Sequence, residues 1–271
     1  MTDLWHIADE TMRVISAGGY RTAAGADVRF GADIARAVAG TRLYLPGSAL
    51  PESALPGPDR HPAAAVIEVT HETSLEAARR AGRDVACLVF ASAKNPGGGF
   101  LSGAKAQEED LARASALYAC QRAAAEFYTF HRRQGDLRYS DRVIYSPAVP
   151  VFRSDAGTLL DRPFPVSFLT AAAPNLGALT RSSPGAAVTV PGILRARAAR
   201  VLAVAAAHGH RTLVLGAWGC GVFRNDPAVV AGVFADLLSG DRRFERVVFA
   251  VHDTRKGSPV HGAFARALEG I

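Results

Sequence analysis

Cysteine, lysine and long apolar runs are all scarce in this chain of 271 residues. The three cysteines, Cys87, Cys120 and Cys220, form no CxxC pair and no metal-binding box, so no metal site is expected from them. A low, odd count is typical of a reducing compartment. The N-terminus lacks the basic and apolar regions of a signal peptide, and no apolar run has membrane-spanning length. We therefore expect a cytoplasmic protein without a membrane segment.

Two common nucleotide-binding motifs are also missing. No glycine-rich loop is followed by Gly-Lys-Ser/Thr, which argues against a Walker-type ATPase. Neither glycine-rich loop matches GxGxxG, because Ser102 and Arg224 stand where the last glycine is required. This argues against a standard dinucleotide-dependent dehydrogenase. The pair His208 and His210 has no third ligand nearby in the sequence, so we expect no metal site there.

The composition indicates a globular protein with a basic surface. Hydrophobic residues make up 49% of the chain, and the formal net charge is +6. Arginine supplies nearly all of the positive charge, since the chain has only three lysines, Lys94, Lys105 and Lys256. Such a balance suits an anionic partner such as a nucleotide or a polymer of phosphates. High-GC coding produces the same arginine-rich usage, so the charge alone does not identify a ligand.

Strand-like and helix-like segments alternate from residue 64 onward, which predicts an α/β fold with a mainly parallel or mixed central sheet flanked by helices. Residues 1–62 are predicted to form an N-terminal helical and hairpin accessory region that ends in a proline-rich linker, and residues 63–271 to form the main α/β domain. Within the accessory region the patterns predict a helix over 3–17, a hairpin over 20–30, a short helix over 34–38, a short strand over 42–45 and the linker over 46–62. In the second part we expect a strand over 143–145 before a proline-bearing loop, and a loop over 174–184.

Two glycine-rich loops follow apolar strands. The first holds Gly97, Gly98 and Gly99, and the second reads GAWGCGVFRNDP over 216–227. Glycine lets the backbone approach a ligand and adopt positive φ, and N–H groups at helix starts favour phosphate. Ligands in such sheets bind at the carboxyl ends of the strands, so we expect both loops to face one cleft. Taken alone, each loop could instead be an ordinary strand-to-helix turn that binds no ligand.

Gln107, Glu108 and Glu109 open the helical segment that follows the first glycine loop. Acids are favourable in a first helical turn, so they could simply pair with Arg113 or Lys105. The alternative is catalysis beside a phosphate-bearing substrate, with one carboxylate holding hydroxyls and the other transferring a proton. The helix start should lower the pKa of both glutamates, whereas a bound diphosphate should raise it. On a helix the two neighbours point about 100° apart, so they should not share one proton across a gap.

Three further residues have both a structural and a functional interpretation. Phe223 is either a core aromatic that closes the second loop or a ring that packs on substrate. Asn95 either caps the first loop or binds a sugar hydroxyl. Cys220 is either a small loop residue or a nucleophile, and no histidine stands at a spacing that would favour the nucleophile. Either Asn225 or Asp226 is expected to cap the helix that begins near Pro227.

The first loop and its helix form the pattern GGG, seven residues, QEE, which resembles the signature of poly(ADP-ribose) glycohydrolases. The surrounding ASAKNPGGGFLSGAKAQEEDLARASALY is similar to the microbial group of that family, as are VIEVTHETSLEAA, LGAWGCGVFRNDP and VVFAVHD. The likeness covers nearly the whole chain. It implies a macrodomain-like mixed sheet between helices and hydrolysis of the ribose–ribose O-glycosidic bonds of poly(ADP-ribose). No cofactor is implied.

The resemblance also implies roles for individual residues. Glu109 would be the catalytic acid and base, and Glu108 would bind hydroxyls across the scissile bond. The implied substrate-binding residues are Asn95, Gly97, Gly98, Gly99, Gln107, Gly219, Cys220, Gly221, Val222 and Phe223. Microbial members act mainly from chain ends, because the accessory region covers one side of the cleft. We expect the adenine to bind at the end of the strand predicted over 247–253.

The expected partners are poly(ADP-ribose), ADP-ribose and ADP-ribosylated proteins, in the context of the DNA damage response. We expect a monomer and no direct binding to DNA. Three other functions stay open at this point: a macrodomain that binds ADP-ribose without cleaving it, a hydrolase of ADP-ribose esters or adducts on proteins, and a nicotinamide-dependent oxidoreductase. The intact Gln-Glu-Glu sequence favours the glycohydrolase over the binding module.

Overall fold

The computed structural model describes residues 4–51 and 65–271. The helices are α1 (Leu4–Ala17), α2 (Gly31–Gly40), α3 (Ser74–Ala81), α4 (Gln107–Ala114), α5 (Leu117–Ala123), α6 (Ala125–Gln134), α7 (Leu176–Ser182), α8 (Pro184–Ala187), α9 (Val190–Ala207), α10 (Pro227–Leu238) and α11 (Pro259–Ala267). The strands are β1 (Gly19–Arg21), β2 (Asp27–Arg29), β3 (Arg42–Tyr44), β4 (Val66–Thr70), β5 (Val85–Phe90), β6 (Val143–Arg153), β7 (Leu159–Ala171), β8 (Thr212–Gly216) and β9 (Arg246–Ala250). A short 3-10 helix spans Phe100–Ser102.

Seven strands form one mixed sheet in the order β3-β6-β7-β5-β8-β9-β4. Strands β7, β5, β8, β9 and β4 pair in parallel, whereas β6 pairs antiparallel with both β3 and β7. The predicted mixed α/β sheet is therefore confirmed. Because parallel strands point the same way, the loops that follow β5, β8 and β9 emerge at one edge of the sheet.

Helices cover both faces of the sheet, and the side chains of β5 show why its apolar run is continuous. Ala86 and Leu88 belong to a core cluster that includes residues of α9 and α10. Val85, Cys87 and Val89 belong to a second cluster that includes residues of α3, α4 and α5. A strand that is buried on both faces has apolar residues at consecutive positions, and this is typical of parallel sheets.

Two sequence expectations in the second half of the chain are wrong. Strand β6 does not end at Tyr145 but continues to Arg153, because Pro147 lies where the register with β7 shifts between Ser146 and Val149. A bulge tolerates proline, since the missing N–H is not needed by the ladder there. The expected loop over 174–184 contains α7, which the Asn175 side chain caps by accepting the N–H of Ala178.

The N-terminal residues contain the predicted helix and hairpin, and they also contribute to the main sheet. Strand β3 pairs with β6 and forms one edge of the seven-stranded sheet. Helix α1 packs beside the 3-10 helix, where a Cβ on Gly103 would lie 3.2 Å from the backbone nitrogen of Trp5. Most of the proline-rich linker, residues 52–62, lies outside the described residues. The domain boundary at residue 62 stays a prediction.

Candidate active site

Both glycine-rich loops lie at the same edge of the sheet. The first follows β5 and the second follows β8, and these two strands are parallel neighbours. Next to them is a cavity of about 600 Å³, which is within the usual size range of small-molecule sites. Its walls come from the ends of β5, β8 and β9 and from the starts of α3 and α4. The predicted site residues that line it are Gln107, Cys220 and Gly221.

The first glycine loop uses its N–H groups inside the protein. The N–H of Gly97 donates to Oε1 of Gln121 at 2.7 Å, and that of Gly98 donates to the carbonyl of Asn95 at 3.0 Å. The N–H of Gly99 donates to Oε1 of Glu109 at 2.9 Å. The loop therefore holds side chains and other backbone in place, and these N–H groups are not free to bind phosphate as we expected from the glycine triplet.

The second loop has the free donors that the first lacks. Among the described residues, the N–H groups of Gly219, Gly221, Val222 and Phe223 have no hydrogen-bond partner. Such a run of N–H groups forms an anion-binding concavity. Asn225 stabilises the loop, because its side-chain amide donates to the carbonyls of Pro174 and Gly219.

The structure also bears on the helix cap and on the cysteine of this loop. Asp226, not Asn225, caps α10 by accepting the N–H of Ala228. Burial raises the pKa of the Cys220 thiol to about 12, which disfavours the reactive thiolate at neutral pH.

Glu108 is a buried carboxyl group, with 2% of its surface exposed. Its Oε2 accepts the N–H of Ser92 at 2.6 Å, and its Oε1 accepts Nε2 of Gln121 at 3.0 Å. Burial raises its pKa to about 8, and the charge of Glu109 adds to the increase. The prediction that the helix start lowers the pKa of both glutamates is therefore wrong for Glu108, because desolvation outweighs the helix dipole.

Glu109 is more accessible than Glu108 and approaches the same point. A Cβ on Gly98 would lie 2.2 Å from Oε1 of Glu109 and 3.1 Å from Oε2 of Glu108. The two side chains thus converge on the backbone of Gly98, although their positions on the helix diverge. Gly98 has no side chain, which leaves room for both carboxyl groups.

The remaining predicted residues occupy different surroundings. The Gln107 side chain lines the cavity, but its amide also accepts the N–H of Phe90 and donates to the carbonyl of Leu88 and to Ser74. It therefore fastens α4 to the end of β5. Phe223 is partly buried and packs against a small core cluster, with its ring 5.9 Å from that of Tyr139. Asn95 is exposed, on the turn that precedes the glycines.

Gln121 and the backbone of Ser92 are site components that sequence reasoning missed. Both contact Glu108 from outside its helix. Gln121 is a fully buried polar side chain in an apolar helical segment. A buried amide needs hydrogen-bond partners, and that was the available signal, but the partners are distant in sequence and could not be assigned.

We expect the burial of Glu108 to appear in the pH dependence of stability. The native state keeps the proton up to about pH 8, whereas the unfolded chain loses it near pH 4.3. The native state binds the extra proton in this window, so the free energy of unfolding should fall as pH rises. Glu108→Gln should remove a slope of up to about 1.4 kcal/mol per pH unit between about pH 5.5 and 7.

Urea denaturation of the wild type and of Glu108→Gln across that range measures this slope. The exposed Glu126, in the first turn of α6, offers a matched control, and Glu126→Gln should keep the wild-type slope. Equal slopes for the wild type and Glu108→Gln would mean that Glu108 is ionised in the native protein.

Within residues 4–51 and 65–271, no three His, Cys, Asp or Glu side chains are grouped so as to hold a metal ion. None of the helices in these ranges combines the length and the apolar character needed to cross a membrane.

Known proteins resemble this chain in both sequence and structure. The family model described as microbial-type PARG, catalytic domain, matches residues 8–154, and a search of curated proteins gave no match. The crystal structure of poly(ADP-ribose) glycohydrolase from Thermomonospora curvata is 51% identical, covers 98% of this chain and 100% of its own, and superposes with a TM-score of 0.88. The same enzyme bound to the inhibitor ADP-HPD superposes with a TM-score of 0.86, at 51% identity over 98% of this chain and 99% of its own. The enzyme from Deinococcus radiodurans in complex with ADP-ribose is 45% identical over 90% of this chain and 100% of its own, with a TM-score of 0.79. The chain therefore belongs to the microbial-type poly(ADP-ribose) glycohydrolase family.

Proposed function

We propose that this protein hydrolyses the ribose–ribose O-glycosidic bonds of poly(ADP-ribose) and releases ADP-ribose. The observation that carries the proposal is the convergence of two unlike carboxyl groups on Gly98, one buried with a raised pKa and one accessible. Glycoside hydrolysis requires a carboxyl group that can deliver a proton to the leaving oxygen. Membership of the family and the neighbouring run of free N–H groups support the same substrate.

The ligand would follow the edge of the sheet. We place the adenosine in the cavity, against the residues that follow β9, Val251–Asp253. The diphosphate would accept hydrogen bonds from the free N–H groups of Gly219 and Gly221–Phe223. The distal ribose would then lie between the glutamate pair and the ring of Phe223, with Asn95 at its outer side.

Glu109 is the better proton donor because it is the more accessible of the two carboxyl groups. Glu108 is almost fully buried, and each of its oxygens already accepts an N–H. We assign it to binding ribose hydroxyls, for which a neutral carboxyl group can both accept and donate. Glu109 accepts one backbone N–H, from Gly99, and its side chain is only partly buried.

The proposed reaction starts with Glu109 protonated. Its proton passes to the leaving ribose oxygen as the bond between that oxygen and the anomeric carbon breaks, which leaves an oxocarbenium-like centre. Water then attacks the anomeric carbon and gives a proton to the Glu109 carboxylate, which restores the starting state. The negative diphosphate on the second loop would stabilise the developing cation.

We also propose that the protein acts mainly from chain ends. Helix α1 packs against the 3-10 helix that follows the glycine triplet, which supports the idea that the N-terminal residues narrow one side of the site. An internal segment of polymer needs both sides open, whereas a terminal unit needs only one.

The finer assignments of partner and compartment are proposals as well. We propose that ADP-ribosylated proteins carry the polymer, that the protein works as a monomer without binding DNA directly, and that it serves the DNA damage response in the cytoplasm. Cys87, Cys120 and Cys220 are free thiols, which suits a reducing compartment.

Product analysis with purified poly(ADP-ribose) tests the proposed function. The wild type should release free ADP-ribose, and calorimetry should detect binding of ADP-ribose itself. Binding without release of ADP-ribose from polymer would indicate a binding module. Release from mono-ADP-ribosylated protein but not from polymer would indicate a hydrolase of esters or adducts.

A further inference from the structure

Gln121 joins the first glycine loop to the carboxyl group of Glu108. It lies on α5 and is fully buried. Its Oε1 accepts the N–H of Gly97 at 2.7 Å, and its Nε2 donates to Oε1 of Glu108 at 3.0 Å. A longer contact of 3.4 Å joins Nε2 to the hydroxyl of Thr170 on β7. One amide thus links the glycine loop, α4 and the central sheet.

The direction of this amide follows from its partners. A backbone N–H can only donate, so the oxygen of Gln121 must face Gly97 and its NH₂ must face Glu108. Oε1 of Glu108 must then act as an acceptor toward Gln121, and Oε2 must do so toward the N–H of Ser92. The proton of a neutral Glu108 is excluded from both of these contacts. It is left for a direction other than these two.

We propose that Gln121 is a positioning residue for the reaction, holding the Glu108 carboxyl group and the Gly97 backbone in one fixed relation so that the ribose hydroxyls are aligned with the glycine loop. The inference rests on the proposed glycohydrolase function. Gln121 itself does not reach the substrate, because it has no exposed surface. Its effect passes through Glu108, and the titratable groups that interact with Glu108 are Glu109 and the buried Tyr128.

Two variants separate positioning from support of the fold. Gln121→Met fills a similar volume but can neither accept from Gly97 nor donate to Glu108. Gln121→Leu also lacks both the acceptor for Gly97 and the donor to Glu108, so it provides a second variant if the methionine variant does not fold. The exposed Gln134, at the end of α6, offers the matched control Gln134→Met.

With poly(ADP-ribose) as substrate, we expect kcat of both Gln121 variants to fall about 10- to 100-fold when normalised to folded protein, since small misplacements of reacting groups have effects of this size. Gln134→Met should keep the wild-type kcat. Without substrate, the unfolding free energy of Gln121→Met should keep falling to a higher pH than that of the wild type, because the lost donor had favoured ionised Glu108.

Unchanged kcat in folded Gln121→Met would overturn the inference, and so would an unchanged pH profile of its stability. A folded Gln121→Leu that keeps the wild-type kcat would also overturn it, since both hydrogen bonds of the amide would then be dispensable. If the wild type does not release ADP-ribose from polymer, the proposed function itself is wrong. In that case the assignment of Gln121 to this reaction falls with it, whatever the variants do to stability.

Discussion

Replacing Glu109 by glutamine should lower kcat for release of ADP-ribose from poly(ADP-ribose) by about 1,000-fold, within the range usual for loss of a general acid. Glutamine keeps the length and shape of the side chain, and its oxygen can still accept the N–H of Gly99, as the carboxylate does at 2.9 Å. It cannot deliver or take up a proton. The loss should therefore fall on the chemical step, and the affinity for ADP-ribose should change little.

Single-turnover assays together with calorimetry on ADP-ribose separate the two quantities. Glu126→Gln makes the same substitution in the first turn of α6, at an exposed position, and should retain full activity. If Glu109→Gln keeps more than about a tenth of the wild-type kcat, Glu109 is not the proton donor. Glu108→Gln, already needed for the stability series, would then show whether the buried group has that role.

The parts of the site that depend on local order along the chain could be predicted from the sequence. The order strand, glycine loop, helix follows from one apolar run, three glycines and a first helical turn, and it located Glu108 and Glu109 correctly at the start of α4. The second loop was located in the same way. Both loops lie at one edge because β5 and β8 pair in parallel, which is the general rule for such sheets.

The sequence could not show that the two loops have different functions, because tertiary contacts decide which hydrogen-bond partners their N–H groups have. Gly97–Gly99 appear equivalent to the second loop in sequence, yet their N–H groups are occupied by Asn95, Glu109 and Gln121. The raised pKa of Glu108 has the same origin. Its burial depends on packing beneath the loop, whereas the sequence contains only its place in a helical turn.

The first loop needs glycine at residue 98 to leave room for a carboxyl group, and Gly98→Ala tests this. Gly98 has φ of +58°, where a side chain costs about 1 kcal/mol. Its new Cβ would lie 2.2 Å from Oε1 of Glu109, so the carboxyl group must move. A carboxyl group at the end of a flexible side chain moves at little cost in stability, but it would lose its place relative to the scissile bond. We therefore expect kcat to fall about 100-fold.

Gly135→Ala is the matched control, because Gly135 has φ of +70° and open space where its Cβ would lie. Both variants should lose about 1 kcal/mol in the free energy of unfolding, measured in urea, and only Gly98→Ala should lose activity. Equal kcat values for the two variants would mean that the approach of Glu109 to Gly98 does not matter for the reaction. Backbone strain is common to both glycines. If the two variants are equally stable but only Gly98→Ala loses activity, residue 98 must lack a side chain so that the catalytic carboxyl group can take its place.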